Sequence, residues 1–232
     1  MGSEKERDRY AGNDELPHTV ELSEYHIARY PVTVAQFRAF VQESGYQPEE
    51  DWEKYNEYDN HPVVSVSWHD AAAYCEWLTD RLKDRGWKIQ LPTEAQWEKA
   101  ARGTDGRIYP WGDGADPDKA NYGDTGIGTT SAAGCFPEGE SPCGIQDMAG
   151  NVWEWCLDRC DCDDKWNIIT DTYRDSIADP VCMTGSGRVL RGGAWGSSAK
   201  LCRTASRLDS PIGYSYWHYG FRLVLLSGQQ DG

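Results

Sequence analysis

The 232-residue chain changes character at Gly103, and that break limits what it can fold into. Ahead of it lie three segments with clear helix starts and stops. Behind it, through residues 104–142, Gly, Pro, Asp or Asn recurs every few positions and no helical or strand period survives. Only residues 152–157, 189–191 and 221–226 read as strands. Backbone in long loops must find hydrogen-bond partners, so such loops are commonly functional or braced by metal. No repeat, low-complexity tract or Pro/Ser-rich linker divides the chain, so one domain over 1–232 is predicted, with few helices, short strands and much irregular loop.

The helix signals are local. Thr33 caps a helix running to about Glu43, with Val34, Phe37, Phe40 and Val41 on one face and Gly45 beyond its end. Ser67 with Asp70 starts a second, striped by Tyr74, Cys75, Leu78 and Leu82 and stopped by Gly86. Thr93 with Gln96 forms a capping box for a third, stopped at Gly103. Trp153 and Trp155 alternate with Val152 and Glu154, which predicts a half-buried strand with both rings inward.

The net charge of −15 argues against general binding to a nucleic-acid backbone and suits either solubility or divalent cations. No run is long and apolar enough for a membrane span, and no signal peptide is visible, which favours the cytoplasm slightly. The eight cysteines do not decide the compartment or any disulfide pairing. Cys135 and Cys143 can close a loop; Cys156, Cys160 and Cys162, followed by Asp163 and Asp164, lack the spacing of a zinc site. There is no G-x-S-x-G elbow, H-E-x-x-H helix or P-loop.

Residues 188–222 carry the densest information. Arg191-Gly192-Gly193 and Gly220-Phe221-Arg222 read as fixed brackets around a stretch of Ser, Gly, Leu, Asp, Tyr, Trp and His without period. A loop of that mix reads as a recognition surface. Within it Tyr214, Tyr216, Trp217, His218 and Tyr219 form an aromatic run, Tyr219 reading equally well as core. Lys200, Arg203 and Arg207 together offer a place for one phosphate.

Several motifs, in order along nearly the whole chain, resemble the sulfatase-modifying-factor (formylglycine-generating-enzyme-like) family. They are Arg29-Tyr-Pro-Val-Thr33, Pro62-Val-Val-Ser-Val-Ser-Trp68, Leu91-Pro-Thr-Glu-Ala-Gln-Trp-Glu98, Tyr109-Pro-Trp-Gly112, Asp147-Met-Ala-Gly-Asn-Val-Trp-Glu-Trp155, Arg188-Val-Leu-Arg-Gly-Gly193 and Gly220-Phe-Arg222. The resemblance implies an α+β, C-type lectin-like fold with few helices, short antiparallel strands and much irregular loop. Met1-Gly2-Ser3 is similar to an internal motif of that family, so the chain reads as the C-terminal part of a longer protein.

Two cation sites follow. In Asp147-x-x-Gly150-x-Val152-x-Glu154, two carboxylates flank a glycine turn and can wrap a hard cation with two carbonyls; the resemblance implies calcium there. It implies a second calcium near Asn121, Tyr122 and Asp124.

Function then divides. The family's oxidase converts a substrate cysteine to formylglycine with two closely spaced copper(I)-binding cysteines, thiolates suiting a soft ion. The corresponding interval here, Ala194 to Cys202, offers Cys202 alone. The other branch is the variable protein of diversity-generating retroelements, in which asparagine codons are randomised within a lectin frame. Its changeable positions would be Gly196, Ser197, Ser198, Lys200, Leu201, Ser206, Leu208, Asp209, Ser210, Tyr214, Tyr216, Trp217 and His218, and these together with Ala194 and Trp195 would be the ligand-binding residues, in a region of about 194–219. Randomising two bases of AAC yields Gly, Ser, Leu, Asp, Tyr and His but neither Lys200 nor Trp217. The favoured reading is a non-catalytic domain that binds a protein or small-molecule ligand. The alternatives are the copper oxidase and an accessory domain with one fixed protein partner.

Overall fold

The computed structural model describes residues 1–161 and 178–227. Cys162, Asp163 and Asp164 lie outside them. The three helices form where their caps predict: α1 Val34–Ser44, α2 Trp68–Leu82 and α3 Glu94–Arg102. Each has a complete capping box. In α2, Ser67 N donates to Asp70 Oδ2 at 2.8 Å while Asp70 N donates to Ser67 Oγ at 3.1 Å. That reciprocal pair satisfies two amides that the helix itself leaves open.

The strands are β1 His26–Ile27, β2 Trp87–Gln90, β3 Trp153–Cys160, β4 Gly187–Arg191, β5 Arg207–Pro211, β6 Tyr219–Gly220 and β7 Val224–Ser227. They make two small sheets, in the order β1-β7-β2 and β5-β4-β3-β6. All pairs are antiparallel except β3 with β6, which is parallel. Of the segment expected as one strand over 221–226, only 224–226 is strand, within β7; Phe221 and Arg222 are buried in the stretch between β6 and β7. β5 was not legible as a strand: Leu208, Asp209 and Ser210 belong to it rather than to a loop.

Rings dominate the core. Phe37 lies 5.1 Å from Trp52 and 6.3 Å from Phe221, centre to centre, and Tyr74 lies 5.4 Å from both Phe40 and Phe221. This cluster fastens α1 and α2 to the end of the chain; truncating Phe37 would cost about 3–5 kcal/mol. β3 is buried on both faces, so the half-buried expectation is corrected. Trp153, Trp155, Val152 and Glu154 are all within the interior. No helix among the described residues is long and apolar enough to cross a membrane.

Candidate functional site

Buried arginines fix the frame. Arg222 donates from Nε and Nη2 to the two oxygens of Glu154, at 2.6 and 2.7 Å, and both side chains are fully enclosed. Trp97 Nε1 adds a bond to Glu154 at 2.7 Å. Arg191 meets Glu98, and Arg207 grips Glu94 through two bonds of 2.6 and 2.7 Å. Arg203 joins Asp8 and Glu15 of the N-terminal segment. Burial alone would raise the Glu98 carboxyl, but Arg191 and Arg102 beside it hold it below the ordinary range. The fork of arginine suits such paired recognition. Arg203 and Arg207 are therefore spent on the frame, and the phosphate expectation is overturned.

Between these anchors run two loops whose backbones are tied down while many side chains face water. In the first, Trp195 N donates to Asn151 O at 3.0 Å, Gly123 N to Ser197 O at 2.8 Å and Leu201 N to Ser198 O at 2.9 Å. In the second, Ser65 N donates to Tyr216 O at 3.1 Å, Trp68 N to Ile212 O at 3.2 Å and Trp153 N to His218 O at 2.9 Å. Main-chain bonds of this kind do not depend on which side chain the residue carries. Gly196, Ser198, Lys200, Leu201, Tyr214, Tyr216 and Trp217 are exposed; Trp195, Ser197 and His218 are half-buried.

Not every predicted position reaches the surface. Ala194, Ser206 and Ser210 are buried, so they are corrected from ligand contacts to frame residues. Leu208 packs partly against the main core. The half-buried Asp209 stands opposite Val189 in the β4–β5 ladder. Leu208, Asp209 and Ser210 are drawn into sheet by pairing with β4, and Ser206 O accepts a hydrogen bond from the buried Arg191 Nη1.

The loops meet at a cleft of about 350 Å³ lined by Tyr55, Val64, Thr129, Thr130, Trp195 and Trp217. The indoles of Trp195 and Trp217 lie 4.8 Å apart and tilted by 41°. Four of the six lining residues come from outside the predicted segment. Asn56 explains Tyr55: its Nδ2 donates to Val64 O at 2.8 Å and Val64 N returns a bond to its Oδ1 at 2.9 Å. That clamp holds the Tyr55 loop beside Val64. Thr130 Oγ1 meets His61 Nδ1 at 2.9 Å. Burial lowers His61, and lowers His218 to about 4, so neither adds positive charge at neutral pH. An exposed Tyr flanked by acids far along the chain is a weak signal, and only the fold unites it with Trp217.

The expected cation ligands fare differently. Glu154 is committed to Arg222 and Trp97, and no group of three or more His, Cys, Asp or Glu that could hold a metal occurs among the described residues. Asp147 accepts from Gly134 N at 2.7 Å; burial pushes its carboxyl up to about 6. Gly150 holds a positive φ of 80°, and a Cβ there would meet Asn121 O at 2.2 Å. Val152 is buried. Around the second set, Asn121 Oδ1 is buried without a hydrogen-bond partner, while Tyr122 is buried and Asp124 exposed. A bare buried carbonyl oxygen fits a hard cation or water.

Cys202 is enclosed, and burial pushes its thiol up to about 12. Cys75 and Cys156 are buried free thiols, while Cys135 and Cys143 are exposed and unbridged.

Residues 1–226 match the model of the sulfatase-modifying factor enzyme 1-like domain. The chain belongs to this family. It is 32% identical over 284 residues to the formylglycine-generating enzyme of Thermomonospora curvata, covering 96% of this chain and 88% of that one. It is 34% identical over 236 residues to the serine/threonine-protein kinase Pkn1 of Chlamydia trachomatis, covering 90% of this chain but only 34% of Pkn1. Among solved structures, Treponema denticola variable protein 1 superposes with a TM-score of 0.75 at 27% identity, over 92% of this chain and 88% of that one. The fold is thus the C-type lectin-like frame expected from the motifs. The family spans enzymes and a member named as inactive.

Proposed function

We propose that this sulfatase-modifying-factor domain is a non-catalytic recognition module, of the kind that serves as the variable protein of a diversity-generating retroelement. One observation carries the reading: buried arginine ion pairs and main-chain hydrogen bonds hold the loops at 195–201 and 212–218, while Gly196, Ser198, Lys200, Leu201, Tyr214, Tyr216 and Trp217 within them face solvent. Such a surface can change composition and keep its frame. Tyr and Trp give rigid contact area, and Ser and Gly adapt, as in antibody paratopes. The likeness to Treponema denticola variable protein 1 supports this branch. In this reading calcium braces the loop at Asn121, Tyr122 and Asp124, and a second ion near Asp147, Gly150 and Val152 needs Glu154 to share its carboxylate with Arg222. Calcium should raise the unfolding temperature in a saturable manner that a chelator reverses. No change at millimolar calcium would remove the ion from the account.

The relation to formylglycine-generating enzymes keeps copper oxidation of a substrate cysteine as the second reading. Anaerobic copper(I) titration separates the two. The recognition reading expects no tight stoichiometric copper, because Cys202 is single and enclosed. Tight binding lost in Cys202→Ser would establish the oxidase reading instead. A neighbouring reverse-transcriptase gene with an adenine-rich near-copy of the 194–219 coding segment is expected in the genome; its absence would favour an accessory domain with one fixed partner.

A further inference from the structure

The cleft has a chemistry of its own. Three aromatic residues, Tyr55, Trp195 and Trp217, share its lining with Val64 and two threonines, and no charged side chain is among them. The segment that carries Tyr55 is strongly acidic. Residues 49–59 contain Glu49, Glu50, Asp51, Glu53, Glu57 and Asp59 against a single Lys54, all exposed. Arg38 neutralises Asp59, which leaves a clear surplus of negative charge. Glu49 reaches the second display loop: a Cβ placed on Gly213 would lie 3.9 Å from its Oε2. Lys54 Nζ rests 5.0 Å from the centre of the Tyr55 ring, so that π-face already takes a cation.

Aromatic faces attract cations, and an acidic rim on a chain of net charge −15 concentrates them. We propose that the cleft between Tyr55, Trp195 and Trp217 is an aromatic cage for a compact organic cation, an alkylated ammonium group that the Glu49–Asp59 rim draws in. The proposal rests on the recognition reading and names the ligand class of that surface. Its walls have two origins. Tyr55, Val64, Thr129 and Thr130 come from the frame, whereas Trp195 and Trp217 come from the display loops. The frame thus sets an appetite for positive charge, and the loops set how closely it is met.

The test is a titration of the purified chain at low salt, read by indole NMR signals and tryptophan fluorescence. The probes are choline, N-acetyl-trimethyllysine amide, the neutral isostere 3,3-dimethyl-1-butanol and a methyl pyranoside. Saturable shifts with either cation, at least tenfold weaker with the neutral isostere, are expected. Choline binding at least as well as the lysine derivative points to a free small cation, and the reverse order to a side chain of a larger ligand. Trp217→Ala should weaken the cation about tenfold and Trp217→Phe less, with the unfolding midpoint unchanged. Lys54→Gln should tighten it two- to threefold by removing the resident ammonium. Glu53→Gln with Glu57→Gln should weaken it two- to threefold, an effect that high salt erases. Equal binding of the neutral isostere, or no response to either cation, overturns the cage. Trp217-dependent binding of the pyranoside alone would overturn the cage and leave the recognition surface standing.

Discussion

Replacing Arg222 by alanine should strongly destabilise this domain. The guanidinium makes two bonds to Glu154, and further bonds to Ala28 O at 3.1 Å and Gln146 O at 2.9 Å. Both members of the ion pair have no solvent exposure. Truncating one leaves a buried carboxylate with only Trp97 to solvate it, which costs about 3–5 kcal/mol. Total stability of a domain is roughly 5–15 kcal/mol, so the loss is a large share of the whole. At this chain length it corresponds to a fall of roughly 6–20 °C in midpoint. Lysine should not rescue, because one ammonium cannot replace the two-pronged grip. The informative control is the double variant Arg222→Met with Glu154→Gln, which removes both charges. Urea unfolding of the parent, the two single variants and the double variant gives the coupling. The double variant should be at least about 1.5 kcal/mol better than the sum of the singles. A loss below about 1 kcal/mol for Arg222→Ala, or strict additivity, would refute the claim that this pair anchors the C-terminal bracket.

Two more outcomes follow from local geometry. Gly193 has a φ of 75°, and a Cβ there would sit 2.5 Å from Cys202 Sγ, so Gly193→Ala should cost about 1–3 kcal/mol in urea unfolding; a neutral effect would show that the first display loop shifts freely. His218 is held neutral in the fold, at about 4, by burial among the rings of Tyr216, Trp217 and Tyr219. Its unfolded form takes a proton near pH 6.5, so stability should fall as pH drops from about 6.5 to 4, and His218→Phe should flatten that slope in midpoint-versus-pH scans; an unchanged slope would rule His218 out as its source.

Helices and family were legible because their signals are local. Thr33 with Gln36, Ser67 with Asp70 and Thr93 with Gln96 lie within one turn of each other, so residue type at fixed spacing suffices. The ion pairs were not legible, since Arg203 meets Asp8 and Glu15 across nearly the whole chain. For the same reason Glu154 read as a cation ligand: its arginine partner is 68 positions away. β5 escaped notice because the run from Arg207 to Pro211 has no alternation, and β4 alone imposes its conformation. The cleft was half visible. Trp195 and Trp217 stood within the suspect segment, whereas Tyr55, Thr129 and Thr130 have no local mark; the Asn56 clamp and the long-range contact of Thr130 with His61 are features of the fold.

The central claim is that frame and display surface are energetically separate. It is tested most directly by replacing Gly196, Ser198, Lys200, Leu201, Tyr214, Tyr216 and Trp217 together with other polar or aromatic residues and measuring the free energy of unfolding. All seven are exposed, and isolated surface changes typically stay within about 0.5 kcal/mol each. The account predicts a folded domain within about 2 kcal/mol of the parent. A collapse of the transition, or a loss as large as that of Arg222→Ala, would contradict it.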